Sequence, residues 1–248
     1  ASSTYQGQGP GEITIIGHVG IDETNRRFFV SDHGKLKIFA YDLDSVLTTP
    51  EYQPSVKIDM KKKLFPDDYL YLNDTLCIAR IIEPVGNNDY KPSVARWNMA
   101  TGEINPMPYE YPDLKKVRFI YAASAEHQLY VQCYTQYDLM TICDFNGNLK
   151  CNIYGPKWVN EKTQTQHYSL GVEFCGDKIL ALYSGGDHRT DAYYPTKFLV
   201  FDLNGNYLKT LETGYMITDF CYDKENNRLI INLNDEIQFA YLDLEGII

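Results

Sequence analysis

The fold can be predicted from one stretch, Phe198-Leu199-Val200-Phe201-Asp202-Leu203-Asn204-Gly205-Asn206-Tyr207-Leu208. An apolar run ends at Asp202, the pair Asn204-Gly205 follows, and a second apolar run begins at Tyr207. Asn-Gly between two runs of strand-forming residues is the strongest short-range signal of a β-hairpin, because a type I′ turn requires positive φ at both central residues. The stretch therefore predicts two antiparallel strands joined by a type I′ turn.

The same phrase recurs along the chain. A second full copy spans residues 141–149, and degenerate copies span 39–44, 97–103 and 241–246. The Asp or Asn that closes the first strand of each copy lies at positions 42, 98, 144, 202 and 243, which are 56, 46, 58 and 41 residues apart. Repeats of about 40–50 residues with four short strands are typical of β-propeller blades. We therefore predict a single all-β propeller domain over residues 1–248, built from four-stranded antiparallel blades, with five repeats at residues 11–60, 61–110, 111–155, 165–212 and 213–248.

Composition narrows the function classes. Hydrophobic residues make up 44 % of the 248 residues, which is enough to bury a sizeable core. The net charge of −10 argues against a nucleic-acid partner, because such binding needs a Lys/Arg surface. No apolar run approaches the roughly 18 residues that span a bilayer, so no transmembrane segment is predicted.

The six cysteines follow no spacing that is typical of metal sites, and we predict neither a metal ion nor another cofactor. Most of them lie in apolar runs, where a free cysteine behaves as a small hydrophobe. Cys133 and Cys143 could lie opposite each other in a hairpin, and Cys143 and Cys151 nearly so. Two alternatives stay open, namely six free thiols or one disulfide within this group of three.

The connections between strands fall into two classes. In a propeller, the first-to-second and third-to-fourth strand turns share one face, and the remaining connections share the other. Sorted in this way, the first face has only tight turns: 22–25, 73–74, 146–147, 176–177 and 204–205. The second face has the long connections 83–90, 108–112, 155–159 and 184–194. Long loops on a rigid scaffold are where binding residues concentrate, so we predict that the second face is the functional one.

The long connections supply the candidate ligand-binding residues, which are Glu83, Asp89, Tyr90, Tyr109, Tyr111, Trp158, Asp187, His188, Arg189, Tyr193 and Tyr194. The aromatic rings could stack on sugars or on a partner's side chains, or could pack between blades. The polar cluster 187–191 could orient an imidazole and clamp an anion, or could be a solvated loop tip. His18, on a first strand, is a candidate channel residue or a packed histidine. Asp144 and Asp202 superficially resemble calcium-loop residues, but hairpin turns need the same residue types.

A family resemblance rests on Gly7-Gln8-Gly9-Pro10-Gly11-Glu12 together with the repeated hairpin. These residues resemble the Gly-x-Gly-Pro-Gly-Glu phrase of the six-bladed, TolB-like/NHL-like propellers of Bacteroides-type bacteria. The resemblance implies six blades, a periplasmic or outer-membrane-anchored protein, often a lipoprotein, and no catalytic residue. Because five repeats are visible, either an N-terminal blade and leader lie outside this chain, or residues 2–6 supply the outer strand of the last blade.

These observations predict an extracytoplasmic binding or scaffold module whose ligand is a carbohydrate, a peptide or a partner protein. The chain has no motif of a known catalytic nucleophile, metalloprotease or nucleotide site. The alternative is a glycan-acting hydrolase or lyase that uses Asp187, His188, Arg189 and Glu83. A third hypothesis, a metal-dependent lactonase-like enzyme, would need Glu, Asp and Asn side chains that converge on the channel.

Overall fold

The computed structural model describes Gly7, Gly9 and residues 12–86, 89–112 and 114–248. Within these residues, one short α-helix and one turn of 3-10 helix accompany nineteen β-strands. The strands form five antiparallel sheets, four of them four-stranded and one three-stranded. The predicted fold class, an all-β propeller of four-stranded antiparallel blades, is confirmed. The predicted closing strand at residues 2–6 lies outside the described residues.

The chain divides into two compact units between Met107 and Pro108. The N-terminal unit contains two blades. Blade 1 consists of β1 (Ile16–Asp22), β2 (Arg27–Asp32), β3 (Lys37–Asp42) and β4 (Ser55–Asp59), and blade 2 of β5 (Phe65–Asn73), β6 (Leu76–Gly86), β7 (Asp89–Trp97) and β8 (Ile104–Pro106). A hydrophobic core joins the two blades and includes Phe29, Ile38 and Trp97.

The C-terminal unit contains three blades. Blade 3 consists of β9 (Phe119–Ser124), β10 (Leu129–Tyr134), β11 (Leu139–Asp144) and β12 (Leu149–Tyr154), and blade 4 of β13 (Thr165–Cys175), β14 (Lys178–Asp187), β15 (Lys197–Asp202) and β16 (Tyr207–Glu212). Blade 5 has β17 (Ile217–Asp223), β18 (Arg228–Leu233) and β19 (Phe239–Asp243). One core cluster links blades 3 and 4, and another links blades 4 and 5.

The repeated phrase forms a hairpin, but its turn differs from the predicted type I′ turn. Within the turn Asp202–Asn206, Gly205 has a φ of +85°, and Asn204 is not among the described residues with positive φ. Gly205 N donates to Asp202 O at 3.0 Å, as in a three-residue loop that ends on a left-handed glycine. The Asp202 carboxylate accepts hydrogen bonds from the backbone N–H groups of Asn204 and Asn206, both at 2.9 Å. The aspartate thus completes the turn itself, which explains why the phrase repeats.

Two predicted copies of the hairpin are wrong. In the copy at 241–246, no strand follows Asp243 among the described residues, and the copy at 39–44 leads into a helix. The Asp42 side chain accepts a hydrogen bond from Ser45 N at 2.7 Å and caps a short helix, α1 (Leu43–Thr48). The chain then returns as β4, where the sequence predicted only a connection. Within the described residues, no helix has the length and apolarity that a membrane span requires.

The predicted long connection at 83–90 is also wrong, because the strands continue through it. Glu83 pairs with Lys91 and Pro84 with Tyr90, so β6 and β7 form one extended hairpin. Similarly, β14 continues to Asp187, which shortens the predicted connection at 184–194.

Of the two alternatives left open for the cysteines, the structure has the free thiols and not a disulfide. Cys133 is paired in register with Met140, whereas Cys143 is paired with Tyr130. Cys151 lies opposite Ile142. The cysteines of the described residues, which include all six of the chain, are free thiols.

Candidate functional site

The C-terminal unit gathers two long connections at one end. The backbone N and the Nδ1 of His188 lie 3.1 and 2.9 Å from Gln164 O, so the β14–β15 connection contacts the β12–β13 connection. At the opposite end of the strands, the Cys151 thiol donates to Asn204 O at 3.4 Å, beside a tight turn. We call the first of these the long-connection end of the unit.

Four aromatic side chains form a cluster at the long-connection end. The Trp158 ring lies 5.1, 5.8 and 6.3 Å from the rings of Tyr154, Tyr111 and Tyr137, measured between centroids. The hydroxyls of Tyr111 and Tyr154 are 3.3 Å apart, and this hydrogen bond raises the pKa of Tyr111 to about 12. Tyr137 is buried, while Tyr154 is 50 % exposed. Thus the structure brings the predicted Tyr111 and Trp158 together and adds two tyrosines that the sequence did not single out.

Tyr109, another predicted ligand-binding residue, is held against blade 3 by a hydrogen bond. Its hydroxyl accepts a hydrogen bond from Asn152 Nδ2 at 2.8 Å. Asn152 Oδ1 in turn accepts one from the buried Thr141 hydroxyl at 2.7 Å. This chain of polar contacts holds the connection before blade 3 against β11 and β12.

The polar residues at the end of β14 are paired with one another. Arg189 donates from Nε and Nη2 to the Asp187 carboxylate at 3.1 and 2.9 Å, and these bonds lower the pKa of Asp187 to about 2. His188 Nδ1 lies 3.8 Å from Asp187 Oδ1. The Asp187 carboxylate is therefore ionised at neutral pH, and its negative charge is balanced by the Arg189 guanidinium.

The remaining predicted aromatics of this connection stack on each other. The rings of Tyr193 and Tyr194 have centroids 4.2 Å apart. The Ser184 hydroxyl donates to Ala192 O at 2.6 Å and folds the connection back on β14.

Glu83, Asp89 and Tyr90 lie in the N-terminal unit, on the extended β6–β7 hairpin. Glu83 and Tyr90 are exposed and Asp89 is half-buried. Asp89 Oδ1 accepts a hydrogen bond from Tyr90 N at 3.0 Å. These residues thus lie on strands rather than in a flexible connection.

His18 is a packed histidine with a carboxylate partner. Its Nδ1 lies 3.1 Å from Asp68 Oδ1, and its ring packs on Tyr69 at 4.5 Å. Burial lowers the pKa of His18, and the nearby Asp68 carboxylate opposes that shift. A similar pair lies next to it, where His33 Nε2 is 3.9 Å from Asp67 Oδ1.

A buried polar group of the C-terminal unit was not predicted. His167 Nδ1 lies 3.2 Å from the Tyr183 hydroxyl and 3.6 Å from Asp138 Oδ1. Burial lowers the pKa of His167, while the Asp138 carboxylate acts in the opposite direction. Burial also raises the pKa of Tyr183, and Asp138 adds to that shift. The imidazole is therefore neutral at physiological pH.

Glycine at position 155 makes room for this group. A Cβ atom on Gly155 would lie 2.1–2.2 Å from the carboxyl atoms of Asp138. The next turn supplies a donor, since Lys157 N donates to Asp138 Oδ2 at 2.9 Å. The connection that presents Trp158 is thus tied to the buried carboxylate.

In sequence, Asp138 reads as an ordinary turn residue and His167 as part of a strand. The one local signal of this buried group is Gly155, directly after β12, because a glycine at a strand end can indicate that another part of the chain packs closely against the backbone. Among the described residues, no group of three or more His, Cys, Asp or Glu side chains is arranged to hold a metal ion.

The chain is similar to one family model and to several solved propeller structures. A family model described as a 6-bladed beta-propeller matches residues 4–74. A solved member of the duf4221 family from Bacteroides vulgatus aligns with a TM-score of 0.60 and 12 % identity, over 96 % of this chain and 82 % of that one. The resemblance to a Bacteroides-type propeller family is confirmed.

Two further solved structures share the propeller fold. The extracellular domain of BT4673 from B. thetaiotaomicron aligns with a TM-score of 0.59 and 10 % identity, over 98 % of this chain and 29 % of that one. The present chain therefore spans less than a third of that protein. A gluconolactonase from Xanthomonas campestris aligns with a TM-score of 0.52 and 16 % identity, over 88 % of this chain and 69 % of that one. No curated protein sequence matches the chain.

Proposed function

We propose that the protein is an extracytoplasmic binding module and that its ligand is a carbohydrate held at the long-connection end of the C-terminal unit. The observation that carries this proposal is the cluster of Tyr111, Tyr154 and Trp158 beside the β12–β13 connection. Tyrosine and tryptophan combine a large apolar ring with a polar group, which suits the CH faces and hydroxyls of a sugar.

The geometry around the cluster supports a fixed binding surface. Tyr109 and Tyr137 are each held by a hydrogen bond, to Asn152 and to Lys115 O respectively, both at 2.8 Å. Side chains that are already ordered lose little conformational entropy when a ligand binds. The extracytoplasmic location is supported by the similar B. thetaiotaomicron structure, which is an extracellular domain, and by the family resemblance.

Glycan hydrolysis or lactone chemistry is the second candidate. Its strongest support is the gluconolactonase of the same fold, at 16 % identity. Binding ranks first because Asp187, the central acid of the predicted catalytic set, is held ionised by Arg189. A general acid must carry a proton near the working pH.

Binding of a panel of neutral oligosaccharides (malto-, cello-, xylo- and manno-oligosaccharides) to the full chain tests the proposal by calorimetry. Wild-type protein should bind at least one member, and Trp158→Ala should weaken that binding by about tenfold or more, as for an aromatic hot spot. Phe239→Ala is the matched control, because Phe239 is an exposed aromatic residue of β19. If no oligosaccharide of the panel binds, the proposal that the ligand is a carbohydrate is wrong. If Trp158→Ala binds as tightly as the wild type, the proposed binding surface is wrong.

A further inference from the structure

A cavity of about 370 Å³ lies beside the aromatic cluster, within the C-terminal unit. Strands β12, β15 and β16 contribute to its wall, and Tyr154 belongs to both the cavity and the cluster. Five aromatic residues line it, namely Tyr154, Tyr168, Tyr183, Phe201 and Tyr207. This volume lies in the range of small-molecule sites and is large enough for a sugar ring.

One of its lining residues is a buried carboxylate with spare accepting capacity. Asp138 is 1 % exposed, and its Oδ2 accepts a hydrogen bond from Lys157 N. Its Oδ1 has no hydrogen bond of normal length among the described residues, and its contact with His167 Nδ1 is long, at 3.6 Å. An acceptor that is buried without a donor is costly, so a ligand that brings a hydroxyl to this oxygen would gain stability from it.

The other charged lining residue carries the opposite sign. Lys197 Nζ lies 5.7 Å from the centroid of the Tyr183 ring and 4.0 Å from Glu212 Oε1. A cationic ligand would be repelled by Lys197, and an anionic ligand by Asp138. A purely apolar ligand would leave the Asp138 oxygen unpaired. A neutral ligand with hydroxyl groups and an apolar face can hydrogen-bond to both charged residues without repulsion from either, and it suits the five aromatic lining residues.

We propose that this cavity is a subsite for a single neutral pyranose unit. One sugar hydroxyl donates to the Asp138 carboxylate, the Lys197 ammonium donates to a second sugar oxygen, and the tyrosine rings contact the CH face. This inference rests on the proposed function for its ligand class. Because Tyr154 is shared, a glycan whose terminal unit enters the cavity can continue across the aromatic cluster.

The test ligands are the methyl α-glycosides of glucose, galactose and mannose, and the charged probes are glucuronate and choline. Binding to the full chain is measured by saturation-transfer NMR and by calorimetry. At least one neutral glycoside should bind, and neither charged probe should. Asp138→Asn keeps the acceptor for Lys157 N but places an NH₂ group at the other position, so affinity should fall about tenfold or more.

Lys197→Met should also weaken binding. Because Lys197 is only half-buried, this substitution does not require the core to repack. The matched control is Lys150→Met, at an exposed position of β12, which should bind as wild type does. Thermal unfolding of each variant checks that it folds. Binding of choline, or neutral binding that neither Asp138→Asn nor Lys197→Met weakens, would overturn the subsite.

The subsite and the proposed function fail in different ways. If oligosaccharides bind and depend on Trp158 while no simple glycoside binds, the subsite is wrong and the proposed function stands. If neither oligosaccharides nor glycosides bind, both are wrong.

Discussion

His167 Nδ1 lies 3.6 Å from Asp138 Oδ1, and both side chains are 1 % exposed. Asp138 comes from the β10–β11 turn of blade 3, and His167 from the first strand of blade 4. The pair therefore joins two blades through a buried polar contact. Such a contact makes the stability of the unit depend on pH.

Stability should fall as pH decreases below about 6.5, the ordinary pKa of histidine. Burial lowers the pKa of His167 in the folded protein, so the unfolded chain takes up a proton at a pH where the folded protein does not. The free energy of unfolding should then decrease with a limiting slope of about 1.4 kcal/mol per pH unit from this group. Urea unfolding at pH 7 and pH 5 measures it.

His167→Gln should reduce that slope, since it removes the group that takes up the proton. His18 has its pKa lowered by burial as well, so His18→Gln should remove a separate part of the pH dependence. Wild-type protein and His167→Gln with the same pH dependence would contradict this account of the pair.

Gly155→Ala should destabilise the protein by about 1–3 kcal/mol, the usual cost of overpacking. The added methyl group would overlap the carboxyl of Asp138. Gly86→Ala is the matched control, because a Cβ on Gly86 meets no atom within 4 Å. Chemical denaturation of the two variants measures the difference in stability. Equal denaturation midpoints would contradict the prediction, because they would show that the backbone at position 155 can move away from Asp138 at no cost.

Asp202→Ala and Asp144→Ala should each lower the denaturation midpoint. Each aspartate accepts two backbone N–H groups and one asparagine side chain within its own turn. Because these turn contacts engage the carboxylate oxygens, added calcium should leave the melting temperature of the wild type unchanged. A calcium-dependent rise in melting temperature that Asp202→Ala abolishes would restore the calcium-site hypothesis.

The fold was largely predictable because its signals are local. The hairpin around Asn204-Gly205 combines a turn with two strand-forming runs, and these runs form the antiparallel strands β15 and β16. The turn type was wrong because a glycine alone can supply the positive φ when the preceding aspartate accepts the turn's N–H groups. The helix α1 was missed because six residues are too short to show a helical period.

The site was less predictable because it depends on packing between blades. Tyr111 and Trp158 were candidates from their connections alone, but Tyr154 ends a strand and Tyr137 lies in a tight turn. Asp138 and His167 are 29 residues apart in sequence, and only the packing of blade 4 on blade 3 brings them together. The strand extension at Glu83 was missed because Pro84 and Gly86 are typical of loops.

Binding of the ligand at the Trp158 cluster can be measured directly, because the chain has only two tryptophans. Trp97 is 2 % exposed in the core of the N-terminal unit, so Trp97→Phe leaves Trp158 as the emitting residue and Trp158→Phe leaves Trp97. Fluorescence titration with the tightest-binding oligosaccharide should give a saturable change in Trp97→Phe and none in Trp158→Phe. Binding detected by calorimetry in Trp97→Phe without any change in its emission would contradict binding at the Trp158 cluster.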